Sequence, residues 1–91
     1  MARWLQSGLR RDACAVVAAL DDPSAQQVKR ELERHYEGTV KPRTFYGALE
    51  TLAEKGYLET RTEGIHDHYS LTDGGERALR EHYAWLGDCL D

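Results

Sequence analysis

Apolar residues in this chain change their spacing only twice, and the order of those changes leaves few folds open. Leu9, Ala13, Val16, Val17 and Leu20 recur at helical intervals and predict a first helix from Gly8 to Leu20, ended by Asp21-Asp22-Pro23. Trp4 and Leu5 precede it as a short turn or arm. Ser24 and Gln27 form an S-x-x-Q capping box, which satisfies unpaired backbone donors in both directions and starts a second helix. Val28, Leu32 and Tyr36, with Ala25, give that helix its inner stripe; Lys29, Arg30, Glu33 and Arg34 lie outside it, and Gly38 is its stop. Pro42 opens a third helix at the position where a missing N–H costs nothing. Phe45, Ala48, Leu49 and Leu52 face inward there, and Lys55-Gly56 ends it.

Then the period shortens. Tyr57–Thr62 is rich in aromatic and β-branched residues, as a strand is. Glu63-Gly64 reads as a turn with Asp67 making the hairpin tip polar, and His68–Leu71 reads as the returning strand. Thr72 or Asp73 caps a last helix that runs to about Leu90. Helix, helix, helix, strand, strand, helix is an α+β order, mainly α. Two helices joined by a short Gly-containing turn, the second with a polar outer face, form a helix-turn-helix, and the hairpin after it is the wing. The expectation is one winged helix-turn-helix domain over residues 1–91, its terminal helix at 73–91 serving dimerisation.

With Phe45 at the core, Arg43, Thr44, Tyr46, Gly47 and Glu50 point away from it. In a helix-turn-helix the later helix lies in the DNA major groove and reads bases with its first turns. Arg43 can fork onto guanine O6 and N7. Thr44 can bond a base or a phosphate. Tyr46, about 100° from the core direction, offers its hydroxyl to a phosphate. Gly47 lets the backbone approach closely. Lys41, at the positive end of the helix dipole, suits a phosphate. Gln26, Gln27 and Lys29, early on the second helix, are further phosphate contacts. The expected partner is double-stranded DNA.

A net charge of −4 argues against this only until its distribution is read. Residues 1–12 carry +2, residues 24–36 and 41–62 carry +1 each, and residues 73–91 carry −3, so acid collects at the tail. No apolar run exceeds Ala13–Leu20, too short to cross a bilayer, and no leader-like segment is read at the start, so a cytoplasmic location is expected. Cys14 and Cys89 stand 75 positions apart with no CxxC-type pairing. His66 and His68 share a strand face, as two metal ligands could, but no further ligand lies near in sequence, and neither a metal nor any other cofactor is expected. No nucleophile motif or phosphate-cradling Gly loop suggests an enzyme.

The stretch TFYGALETLAEKGYLETRT, followed by HYSLTDGGERAL, resembles the PadR family of winged-helix regulators. Tyr46, Leu49, Leu52, Lys55, Gly56, Tyr69, Leu71, Thr72 and Gly75 stand at the family's positions, and the likeness covers about Arg11 to Leu79. It implies a dimeric, repressor-like protein on a palindromic operator. Family members usually carry Arg or Lys at the wing tip; here Glu63, Gly64, His66 and Asp67 stand there, leaving Arg61 and His66 as the wing's phosphate partners. Nine arginines against three lysines, one isoleucine and an acidic balance resemble the composition of proteins from salt-loving archaea.

Leu79, Tyr83, Leu86 and Leu90 are spaced four, three, four, the seam of a coiled coil. One helix with that much apolar area is expected to pair with its copy in a homodimer, joined by Trp4 and Leu5. A small-molecule effector is not assigned: Trp4, Tyr83 and Trp85 are read as plain interface. The competing function is a winged-helix protein-interaction module that never touches DNA, which the acidic balance, the wing tip without Arg or Lys, and Glu50 favour.

Overall fold

The computed structural model describes residues 8–91. They run as α1 (Gly8–Ala19), α2 (Ala25–Tyr36), α3 (Pro42–Glu54), β1 (Leu58–Glu63), β2 (His66–Leu71) and α4 (Asp73–Leu90). The Trp4 and Leu5 expectation falls outside the described residues.

Local chemistry sets the helix starts. Ser24 Oγ accepts from the Gln27 amide at 3.2 Å while the Gln27 side chain accepts from the Ser24 amide at 2.8 Å, the reciprocal capping box at the head of α2. Pro42 opens α3. Thr72 caps α4, its hydroxyl accepting from the Gly75 amide at 3.0 Å.

The end of α2 differs from the expected stop at Gly38. The left-handed residue is Glu37, at φ 56°, with its amide on Arg34 O and the Gly38 amide on Glu33 O. That is a Schellman pattern one residue earlier than glycine's preference suggests. Tyr36, expected on the inner stripe, is instead exposed at the rim of α2. It keeps the contact a phenol needs by donating to Asp12 Oδ2 of α1 at 2.6 Å. Desolvation, then that hydrogen bond, pushes its pKa up to about 12.

Cys14 and Val17 of α1, Val28 and Leu32 of α2, and Phe45, Leu49 and Leu52 of α3 form the centre of the core. Leu58, Tyr69 and Ala78 close it from the hairpin and α4. Val40, between α2 and α3, joins it because its amide is satisfied by Glu33 Oε2 at 2.9 Å. Burying a residue in a connection needs such a partner for its backbone.

β1 and β2 pair antiparallel from Leu58↔Leu71 to Glu63↔His66. The ladder is longer toward its tip than expected. Gly64 takes φ 65°, so the chain reverses over Gly64-Ile65 alone, as a two-residue hairpin allows. His66 and Asp67 therefore belong to β2, where Asp67 accepts from the Thr62 hydroxyl at 2.8 Å. The other edge of β2 is tied to the α1–α2 loop: Ser24 bridges His68, and the Tyr69 amide donates to Pro23 O at 2.9 Å.

One residue, Thr72, separates β2 from α4. Its amide donates to Tyr57 O at 3.1 Å, and α4 then passes so close to Tyr57 that a Cβ on Gly75 would lie 2.1 Å from that carbonyl oxygen. Only glycine fits this crossing.

Candidate nucleic-acid interface

Phe45, fully buried, fixes the rotation of α3. The residues around it then fall where the helical wheel puts them: Arg43, Thr44, Tyr46, Gly47 and Glu50 are all exposed. A Cβ built on Gly47 would meet nothing within 4 Å, so the backbone is open to an approaching surface. Tyr46 lays its ring edge-on to Phe45, with centroids 5.1 Å apart. At the head of α3, Lys41 is the N-cap residue and makes no side-chain capping bond. The first-turn amides after Pro42 therefore face solvent at the positive end of the helix dipole, a setting that favours anions. Among the described residues no ion pair engages Lys41, Arg43 or Glu50.

Between α2 and α3 lies a cleft of about 360 Å³ lined by Gln26, Lys29, Arg30, Glu33, Pro42 and Tyr46. Three expected phosphate contacts border or adjoin it, and each is engaged differently. Gln26 is exposed and makes no capping bond. Gln27 commits its carbonyl oxygen to the capping box, leaving its amide N–H groups. Lys29 holds Glu33 at 2.8 Å. Glu33 in turn accepts from Val40, and these two bonds, Lys29's first, hold its carboxyl below the usual range. The arrangement staples the turn that sets the angle of α3. Arg30, exposed on the cleft wall, was not among the expected contacts; its signal was present, since it lies outside the inner stripe of α2.

The wing is electrostatically self-contained. Arg61 donates to Asp22 Oδ2 of the α1–α2 loop and to Glu63 Oε2, the latter at 2.8 Å. The bond to Asp22, then its charge, stabilises the cation further. The His68 ring bonds Asp22 O through Nδ1 at 2.9 Å. Arg61 thus latches the middle of the wing to the α1–α2 loop, and of the two expected wing contacts His66 is exposed and in no ion pair among the described residues. Burial, then the nearby Asp67 carboxylate, pushes the pKa of the Tyr69 phenol in β2 up.

On α4, Gly75, Ala78 and His82 face the domain. The expected seam divides: Leu79 packs partly on the core, while Tyr83 is 78% exposed, Leu90 84%, and Leu86 and Trp85 nearly half. Between α1 and α4 runs a groove of about 660 Å³ floored by Ala15, Ala18, Leu79 and Leu86. His82 lines it, with Nδ1 buried and without a hydrogen-bond partner among the described residues, a position that isolated sequence context did not single out. Cys14 is buried and its thiol is pushed up to about 12 by desolvation, whereas Cys89 is exposed. No helix among the described residues is long and apolar enough to cross a membrane, and no cluster of three or more His, Cys, Asp or Glu that could hold a metal occurs among them.

Comparison with known proteins agrees with this architecture. RosR of H. salinarum is 25% identical over 88% of this chain and 73% of its own, with a TM-score of 0.81. The protein smu.1704 of Streptococcus mutans is 24% identical over 87% of this chain and 76% of its own, with a TM-score of 0.74. AF1382 of Archaeoglobus fulgidus, at 11% identity, shares the fold over 93% of this chain and 91% of its own, with a TM-score of 0.73. No curated protein matches. The profile of the transcriptional regulator PadR-like family matches residues 16–81, which hold the whole helix-turn-helix, the wing and the Thr72–Gly75 crossing, and this winged-helix chain belongs to that family.

Proposed function

We propose that this regulator binds DNA sequence-specifically as a homodimer on a palindromic operator and acts as a repressor by occupying it. The observation that carries the reading is the open N-terminal half of α3: Lys41 and Arg43 exposed and in no ion pair among the described residues, Gly47 uncovered, and no side-chain cap on the first turn. Arg43 and Thr44 read base edges, while Lys41, Tyr46, Gln26, Gln27, Lys29 and Arg30 grip phosphates along the α2–α3 cleft. α4 joins two copies through Tyr83, Leu86 and Leu90, with Leu79 at the margin, which spaces two copies of α3 for successive major grooves on one face of the duplex.

The test is selection of bound duplexes from a random pool. Recovery of an inverted repeat with half-site centres about one helical turn apart supports the reading. Recovery of unrelated sequences, with no binding to random duplex at low salt, overturns it. One observation favours the second reading, a protein-interaction module: the wing's arginine is already held by Asp22 and Glu63. That reading requires no duplex binding at any ionic strength, whereas a DNA binder loses affinity steeply as salt rises.

A further inference from the structure

We propose that Glu50 is a specificity-determining residue whose carboxylate accepts from the N4 amino group of a cytosine in the major groove, about three base pairs from the base that Arg43 reads; this rests on the DNA-binding reading above. An acid on a surface that meets a polyanion is unfavourable unless a donor awaits it, and the fold supplies none. Glu31, Glu33 and Glu76 each pair with a cation three or four positions along their own helix. At those positions Glu50 has Tyr46, Gly47, Ala53 and Glu54, and no ion pair among the described residues engages it.

Its place on α3 decides which donor it meets. Phe45, Leu49 and Leu52 are buried and fix the side of the helix that faces the core. Seven residues carry a helix to within about 20° of two full turns, so Arg43 and Glu50 share one line, and that line runs opposite Leu52. The side opposite the core enters a groove deepest, with a row of phosphates on either flank. Gly47 lies beside that line between them, and a Cβ there would meet nothing within 4 Å, so the backbone can settle toward the base edges. A carboxylate in this place points at bases and away from both phosphate rows.

The base edges then select one another. Guanine shows two acceptors in the major groove and thymine one, and each repels a carboxylate. Adenine sets an N7 acceptor beside its N6 donor. Cytosine shows its N4 donor alone, and so suits a carboxylate best. The helical rise places Glu50 about 10.5 Å from Arg43 along α3, the span of about three base pairs. The acid thus weakens binding to duplexes in general and restores it where cytosine stands, which widens discrimination from both sides.

The experiment is selection of duplexes by the wild type, Glu50→Ala, Glu50→Gln and Arg43→Ala, followed by titration of selected and random duplexes. The wild type is expected to select cytosine about three base pairs from the position that Arg43→Ala relaxes. Glu50→Ala is expected to lose that preference, about tenfold, while binding random duplex more tightly. Glu50→Gln is expected to move the preference to adenine, whose N6 and N7 suit an amide. A Glu50→Ala protein that selects the same sequence as the wild type and gains affinity equally on every duplex overturns the inference: the acid then acts as surface charge alone, and the DNA-binding reading stands on Arg43. Failure of the wild type to select any duplex removes both. Thermal melting of the Glu50 variants is expected to match the wild type, since the side chain is exposed and holds no ion pair.

Discussion

Arg43 and Gly47 stand one turn apart on α3, and substitution separates what each does. Arg43 is exposed and in no ion pair among the described residues, so truncating it is expected to leave the fold unchanged. Arg43→Ala is expected to weaken specific binding by about 1–3 kcal/mol and relax one base position, read by gel-shift titration against single-base operator variants. Gly47 makes the sharper case. Its backbone is helical and its Cβ position empty, so Gly47→Ala should stabilise the domain by about 0.5–1 kcal/mol in urea melts. If the backbone there meets DNA, the same change lowers affinity, and a variant that is both more stable and equally tight would show that nothing approaches Gly47. Gly75 has the opposite character. Adding a methyl group 2.1 Å from Tyr57 O forces the head of α4 off the hairpin root, and Gly75→Ala is expected to cost about 2–4 kcal/mol by the same melts.

The connection between α2 and α3 owes its angle to Glu33. Its carboxylate accepts from Lys29 and from the Val40 amide, and both bonds favour the ionised form. A carboxyl lowered on folding contributes stability that is present above its unfolded pKa and is lost as the pH falls through the folded value. Melting temperature followed from neutral into acid should therefore drop less steeply for Glu33→Gln than for the wild type; parallel curves would show that the staple does not form. This bond also marks what could be read from sequence. Ser24, Gln27, Pro42 and Thr72 act within three or four residues of themselves, so helix starts and the outward face of α3 were legible. Pairings across the fold were not: Arg61 with Asp22, Tyr36 with Asp12, Glu33 with Val40 and the burial of His82 depend on which surfaces meet. The wing tip was misjudged for a related reason, since polarity at Asp67 suggested a turn while Gly64's left-handed freedom decided it.

The acid of the tail and the apolar face of α4 occupy one helix, so the proposed dimer would bury Tyr83, Leu86 and Leu90 while leaving the carboxylates at the rim. Tyr83 and Leu90 are so exposed in one copy that charging them leaves the domain intact. The double variant Tyr83→Glu/Leu90→Glu is expected to sediment as a monomer with an unchanged melting transition at high dilution, and to bind a full operator no better than a half-site. A wild-type protein that sediments as a monomer at micromolar concentration would count against the paired arrangement. The junction at Thr72 has a last consequence. Because β2 turns into α4 over one residue, itself bonded to Tyr57, no slack lies between α4 and the wing. In the proposed dimer this junction makes a caliper with locked jaws: one base pair added between half-sites would move the second target by about 3.4 Å and about a tenth of a turn, with no joint between α4 and the wing to follow it.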